Sequence, residues 1–114
     1  MSSVSKGNYY KRKTKAWYEK RGYVCEYGEF TCSIALGRGT IYRKIDIFGA
    51  DVICMDGKEI IFANSKATDE FREDGVSKMK SEAKIKFSKY PFPPGVKKQV
   101  VVWQPREEPE VFDL

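Results

Sequence analysis

The sequence predicts a mixed α/β sandwich, and three observations predict it. Residues 8–21, NYYKRKTKAWYEKR, set Tyr10, Thr14, Trp17 and Tyr18 on adjacent turns of one side of a helix. Short segments rich in β-branched and aromatic residues follow between positions 23 and 66. A second helical pattern in 69–89 then leads into VKKQVVVWQP, which reads as a further strand. The expected order is one helix, three or four strands, a helix and a last strand.

Each element has a local cause. Asn8 can cap the first helix and Gly22 stops it. Lys11 and Lys15 share a separate stripe of that helix at i, i+4 spacing. YVCEYGEF reads as a strand ending near Gly28, and TCSIAL and TIYRKI pair around Gly37-Arg38-Gly39. DIFGADVICM leads into the next strand, Asp56-Gly57 signals a two-residue hairpin turn, and EIIFANSK returns. Residues 69–89 read as helical in their second half, with Gly75 weakening the middle; Met79, Ala83 and Phe87 form the apolar stripe, and YPFPPG ends it. The residues after Pro105 read as an irregular tail. The 114 residues form one domain, 1–114, with no repeat.

Composition excludes several chemistries. The chain has no histidine, so histidine zinc sites, Ser-His-Asp and Cys-His systems and histidine bases are out. A metal site would need oxygen ligands, which favours Mg²⁺ or Mn²⁺. Cys25, Cys32 and Cys54 form no CxxC and read as small buried hydrophobes in a reducing compartment. No apolar run is of membrane-spanning length and the N-terminus carries no signal-type segment, so a cytoplasmic protein is expected, or the host cytoplasm for a viral one.

The net charge is +5, and the surplus is concentrated at the front. Lys6, Lys11, Arg12, Lys13, Lys15, Lys20 and Arg21 face the single acid Glu19, whereas REEPEVFDL is acidic. This suggests a polyanion partner, with a solvated basic helix face as the alternative.

The candidate site lies in GADVICMDGKEIIFANSKA, residues 49–67. Asn64 and Lys66 project from one face of their strand, and the Asp56-Gly57 turn folds the Asp51 strand back beside them. Asp51, Asn64 and Lys66 can therefore converge at one end of the hairpin. Phosphodiester hydrolysis there would need oxygen ligands for the metal and a lysine to help activate water or neutralise developing charge. A hairpin with polar residues at its solvent edge is the alternative.

These residues resemble the PD-(D/E)xK nuclease superfamily, and within it the archaeal-type Holliday junction resolvases. Lys6-Gly7, a helix and Gly22-Tyr23 match the opening of that family; ADVICM with Asp51 matches its metal-aspartate strand, and NSK stands where its ExK does, 13 positions on. DIFGADVI and KYPFPPGVKKQVVVW also look like a phage and archaeal-virus subgroup. The resemblance covers residues 6–66 and runs more loosely to Trp103. It implies a restriction-endonuclease-like fold, a central mixed sheet flanked by helices. It further implies metal-dependent cleavage of branched DNA such as four-way junctions, Mg²⁺ or Mn²⁺ as cofactor, and a homodimer.

The chain departs from the family twice. Lys11 stands where the family has a metal-binding glutamate, and Asn64 replaces the glutamate of ExK. Asp51 keeps its carboxylate; Asn64 can offer an amide oxygen, and the Ser65 carbonyl can add a ligand as in relatives. Asp46 is the leading candidate for a second acid, or else a turn residue at Phe48-Gly49, with Glu26 and Glu29 behind it. Lys66 would assist the attacking water. Lys6, Lys11, Arg12, Lys13, Arg38, Arg43 and Lys44 are the candidate phosphate contacts. A catalytically degenerate DNA-binding protein of the same fold is the second expectation, and a host-directed viral protein using the acidic tail is a third.

Overall fold

The computed structural model describes residues 3–69 and 72–114, with side chains for all of these except 3–6, 30–32, 34, 36 and 44. The elements are α1 (Ser3–Glu19), β1 (Val24–Tyr27), β2 (Glu29–Leu36), β3 (Gly39–Asp46), β4 (Val52–Met55), β5 (Ile60–Ala67), α2 (Glu73–Ser88), β6 (Lys97–Trp103) and β7 (Glu110–Asp113). Five strands form one mixed sheet in the order β1-β4-β5-β6-β7. Only β5 and β6 in it run parallel, joined by α2 as a crossover; the other pairs are antiparallel.

Strand alternation gives the sheet two buried faces. Val52, Cys54, Ile61, Ala63, Val101 and Trp103 pack with Tyr10 and Tyr18 of α1. Phe62, Phe87 and Ala50 form one cluster on the other face, and Ala83, Val100 and Val102 form another. The expected helix faces are the ones buried: Tyr10, Thr14 and Tyr18 on α1, and Ala83 and Phe87 on α2 with Met79 half-buried. Tyr18 OH donates to Gln99 Oε1 (2.6 Å) and Gln99 Nε2 donates to Asp113 Oδ1 (2.8 Å), which ties α1 to β6 and β7. Burial pushes the Tyr18 hydroxyl pKa up, so it stays a donor. Tyr23 OH donates to Glu59, whose other oxygen accepts from Lys97 Nζ at 2.8 Å. The Lys97 hydrogen bond, then that of Tyr23, holds the Glu59 carboxyl below its ordinary value, and the Glu59 bond raises Tyr23 to about 12. Cys25 and Cys54 are free, buried and opposite one another in register, while the Cys32 side chain lies outside the description.

Four details differ from expectation. The first helix begins at Ser3, and Asn8 is an exposed residue within it. No proline interrupts SVSKG, so the helix extends upstream of the nearest capping residue. β2 and β3 form a separate two-stranded ribbon, paired from Glu29↔Asp46 to Leu36↔Gly39, and take no place in the main sheet. The turn between β4 and β5 is wider than two residues, because pairing resumes at Met55↔Ile60. Asp56 Oδ1 accepts from the backbone N–H of Lys58 (2.9 Å) and Glu59 (3.0 Å), closing residues 56–59 with Gly57 at φ +91°. Finally, the tail is not irregular: Val111 and Phe112 are half-buried and β7 extends the sheet beside β6.

Candidate nuclease site

The turn Ile47–Ala50 carries the chain from the ribbon into β4 and aims Asp51. It closes with Ala50 N–H donating to Ile47 O at 3.1 Å, with Phe48 at φ +50° and Gly49 at φ +80°. A phenylalanine in the left-handed region is strained, and the surroundings hold it there. The Phe48 ring packs edge-on against Phe62, Tyr90 and Phe92. Gly28 passes so close beneath that a Cβ built on it would lie 2.4 Å from Ala50 O; its N–H donates to Asp51 O at 2.9 Å. Only glycine permits that approach.

Asp51 is gripped through its backbone and side chain by alternate residues of β5. Its N–H donates to Ala63 O (2.9 Å), and its Oδ2 accepts from Ser65 N–H (2.8 Å). The carboxylate is 5% exposed, and among the described residues no lysine or arginine pairs with it. A buried carboxylate with one backbone hydrogen bond and no counter-charge is costly to keep unless something positive can reach it.

Asn64 sits between those two β5 partners and is 2% exposed. Its Nδ2 donates to Gly49 O at 2.8 Å, fastening the strained turn to the strand. The amide therefore does a job no carboxylate could do, because a carboxylate has no proton to donate to Gly49. Lys66 lies on the same strand face as Asn64, as expected, and reaches Glu82 of α2 with Nζ 3.6 Å from Oε2. Ser65 faces the other way, and its Oγ lies 3.1 Å from Thr14 Oγ1 of α1. Trp103 Nε1 donates to that Thr14 hydroxyl at 2.8 Å, so Asp51, Ser65, Thr14 and Trp103 form one chain of hydrogen bonds through the sheet.

The structure gathers Asp51, Asn64 and Ser65 on neighbouring strands and pairs two of the other candidate acids, Asp46 and Glu29, with lysines. Asp46 accepts from Lys86 Nζ at 3.0 Å. Glu29, at the start of β2, holds the Lys11 ammonium in a largely buried ion pair. Glu26 is exposed on β1. Among the described residues no three Asp, Glu or Cys side chains come together as a metal-holding group. The oxygens these residues could offer, the Asp51 carboxylate, the Asn64 amide and the Ser65 carbonyl, are of the hard type that suits Mg²⁺ or Mn²⁺, but they bring one negative charge.

Of the phosphate candidates, Arg12, Arg38 and Arg43 are exposed, and Lys13 lies over the Trp103 ring at 4.6 Å. Lys6 and Lys44 have side chains outside the described residues. Sequence reasoning missed the Glu82 contact, the hydrogen bonds of Thr14 to Ser65 and Trp103, and the Lys11–Glu29 pair.

Comparison with solved structures agrees with this topology. Hjc, a Holliday junction resolvase from the archaeal hyperthermophile Archaeoglobus fulgidus, superposes with a TM-score of 0.54 at 17% identity, over 95% of this chain and 72% of its own. The fold is that of an archaeal Holliday junction resolvase. The structure of SSO0001 superposes with a TM-score of 0.56, also at 17% identity, over 97% of this chain, which spans about half (51%) of that protein. No protein-family description matches the sequence, and no curated protein does. The resolvase-like α/β architecture, a mixed central sheet flanked by helices, is thus the one the sequence predicts. Among the described residues no helix is long and apolar enough to cross a membrane.

Proposed function

We propose that this chain is a structure-selective endodeoxyribonuclease that cleaves branched DNA such as four-way junctions, with Asp51 at its metal site. The observation that carries this reading is the buried Asp51 carboxylate, aimed by a strained turn and, among the described residues, left without a counter-charge in a resolvase-like fold. Asp51, the Asn64 Oδ1 and the Ser65 carbonyl would hold Mg²⁺ or Mn²⁺, and Asp46 drops from that set because Lys86 occupies it. When bound, the ion supplies Lewis-acid polarisation of the scissile phosphate and of a water. Lys66 orients the attacking water and offsets charge developing on the phosphate, with Glu82 steering its ammonium. Arg12, Lys13, Arg38 and Arg43 grip phosphates on either side. Lys11 serves instead to bind Glu29. Two symmetric cuts in a four-way junction call for two copies of the site, hence a homodimer.

A second reading, a DNA-binding protein of this fold without cleavage, has its own support. Both departures from the family are built into the fold, Asn64 through Gly49 and Lys11 through Glu29. One assay separates the two. A labelled four-way junction and a linear duplex of equal length are incubated with the protein in Mg²⁺, in Mn²⁺ and in EDTA. The nuclease reading expects paired nicks in the junction only, with metal only. A junction bound tightly yet intact in both metals overturns it in favour of the second reading.

A further inference from the structure

Five cations of the basic front end fall into two sets. Lys11 and Lys15 are ion-paired with Glu29 and Glu19. Lys13, Lys20 and Arg21 turn toward the opposite side of α1, where Arg106 joins them from the loop after β6. Together with Trp17 and Trp103 they line an open cleft of about 530 Å³. Among the described residues none of these four cations has a carboxylate within ion-pair distance. Two of them are held by aromatic rings instead. The Arg21 guanidinium lies 3.4 Å from the centre of the Trp17 ring, and Lys13 Nζ lies 4.6 Å from that of Trp103. A ring positions a cation without cancelling its charge. Arg21 is fixed further by donating to Trp17 O at 2.9 Å. The Trp17 indole N–H is buried and finds no acceptor among the described residues, which is rare for a native donor. Glu107 and Glu108 line the same cleft, so positive charge exceeds negative by four cations to two acids.

We infer that this cleft binds the phosphate backbone of a DNA arm outside the Asp51 site. Guanidinium and ammonium heads spaced across an open groove suit a chain of phosphates, to which each contributes by counterion release. Trp103, one wall of the cleft, is hydrogen-bonded through Thr14 to Ser65 beside Asp51, so a buried chain of hydrogen bonds links the cleft to the strand that carries the proposed site. The inference rests on the DNA-binding half of the proposed function and not on cleavage.

The test is the salt dependence of junction binding in EDTA, for the wild type and for Lys20→Gln/Arg21→Gln/Arg106→Gln. Circular dichroism checks folding, and the exposed single change Lys20→Glu serves as a second, structurally mild variant. The triple variant is expected to flatten the slope of log affinity against log salt by about 2 to 3 and to weaken binding at least about tenfold at physiological salt. Lys20→Glu should weaken binding in the same direction. Folded variants that bind with wild-type affinity and slope overturn the inference, as does a loss seen with duplex RNA but not with DNA. A wild type that binds without cutting sinks the nuclease reading and leaves the cleft standing; a wild type that binds no DNA sinks both.

Discussion

Asp51→Asn is expected to remove metal-dependent junction cleavage by about 10³-fold or more while leaving the fold and junction binding in place. The size follows from role: preorganised groups that stabilise transition-state charge are worth about 10²–10³ each, and Asp51 is the one carboxylate among the proposed ligand residues. The preserved fold follows from geometry. An amide has the shape of the carboxylate, and its oxygen can still accept from Ser65 N–H. The change also removes a buried carboxylate that has no counter-ion among the described residues, so the melting temperature should hold or rise. Binding should hold or tighten, since one negative charge leaves a surface that meets phosphates. Single-turnover cleavage, a thermal melt and a binding titration on the same preparation read all three.

Asn64→Asp should have the largest effect on stability, and with the opposite sign. The change keeps the volume but deletes the N–H that Gly49 O accepts, and it sets a carboxylate against that carbonyl. A buried acceptor left unpaired costs about 1–3 kcal/mol, and more when the partner is charged. Burial and the neighbouring Asp51 raise the folded-state pKa of the introduced carboxyl above its unfolded value of about 3.9. The penalty is therefore fully present above the raised pKa, shrinks as pH falls through it, and is gone below the unfolded value, where the protonated group can donate to Gly49 again. Mn²⁺ should restore part of the stability at neutral pH by neutralising the pair. Urea melts at pH 7 and pH 4, with and without Mn²⁺, test this. A variant as stable as the wild type at pH 7 without metal would contradict the tethering role of Asn64.

The elements of this fold were legible where periodicity and turn chemistry agree. Tyr10, Thr14 and Tyr18, the alternation of β4 and β5, and the Met79-Ala83-Phe87 stripe each bury the face they predict. The pairing of the hairpin was legible too: Asp51 precedes Val52, which pairs with Ala63, and so comes beside Asn64 and Ser65 of the returning strand. What stayed hidden depends on contacts between distant segments. β7 is a strand because β6 offers it an edge, and four residues after a proline carry too little pattern to announce that. Asp46 has the composition of a metal ligand, but Lys86, 40 positions further on, claims it. Asn64 looks like a lost glutamate in one dimension and is a tether in three. The cleft beside α1 was not read from the sequence, because Trp103 and Arg106 meet Lys13, Trp17, Lys20 and Arg21 only in the folded chain.

The central claim is that the Asp51 pocket is a divalent-cation site, and calorimetric titration of Mn²⁺ into wild type and Asp51→Asn tests it without any DNA or cleavage. The predicted result is saturable Mn²⁺ binding by the wild type that Asp51→Asn abolishes. Equal binding by both proteins, or none by the wild type, would contradict it.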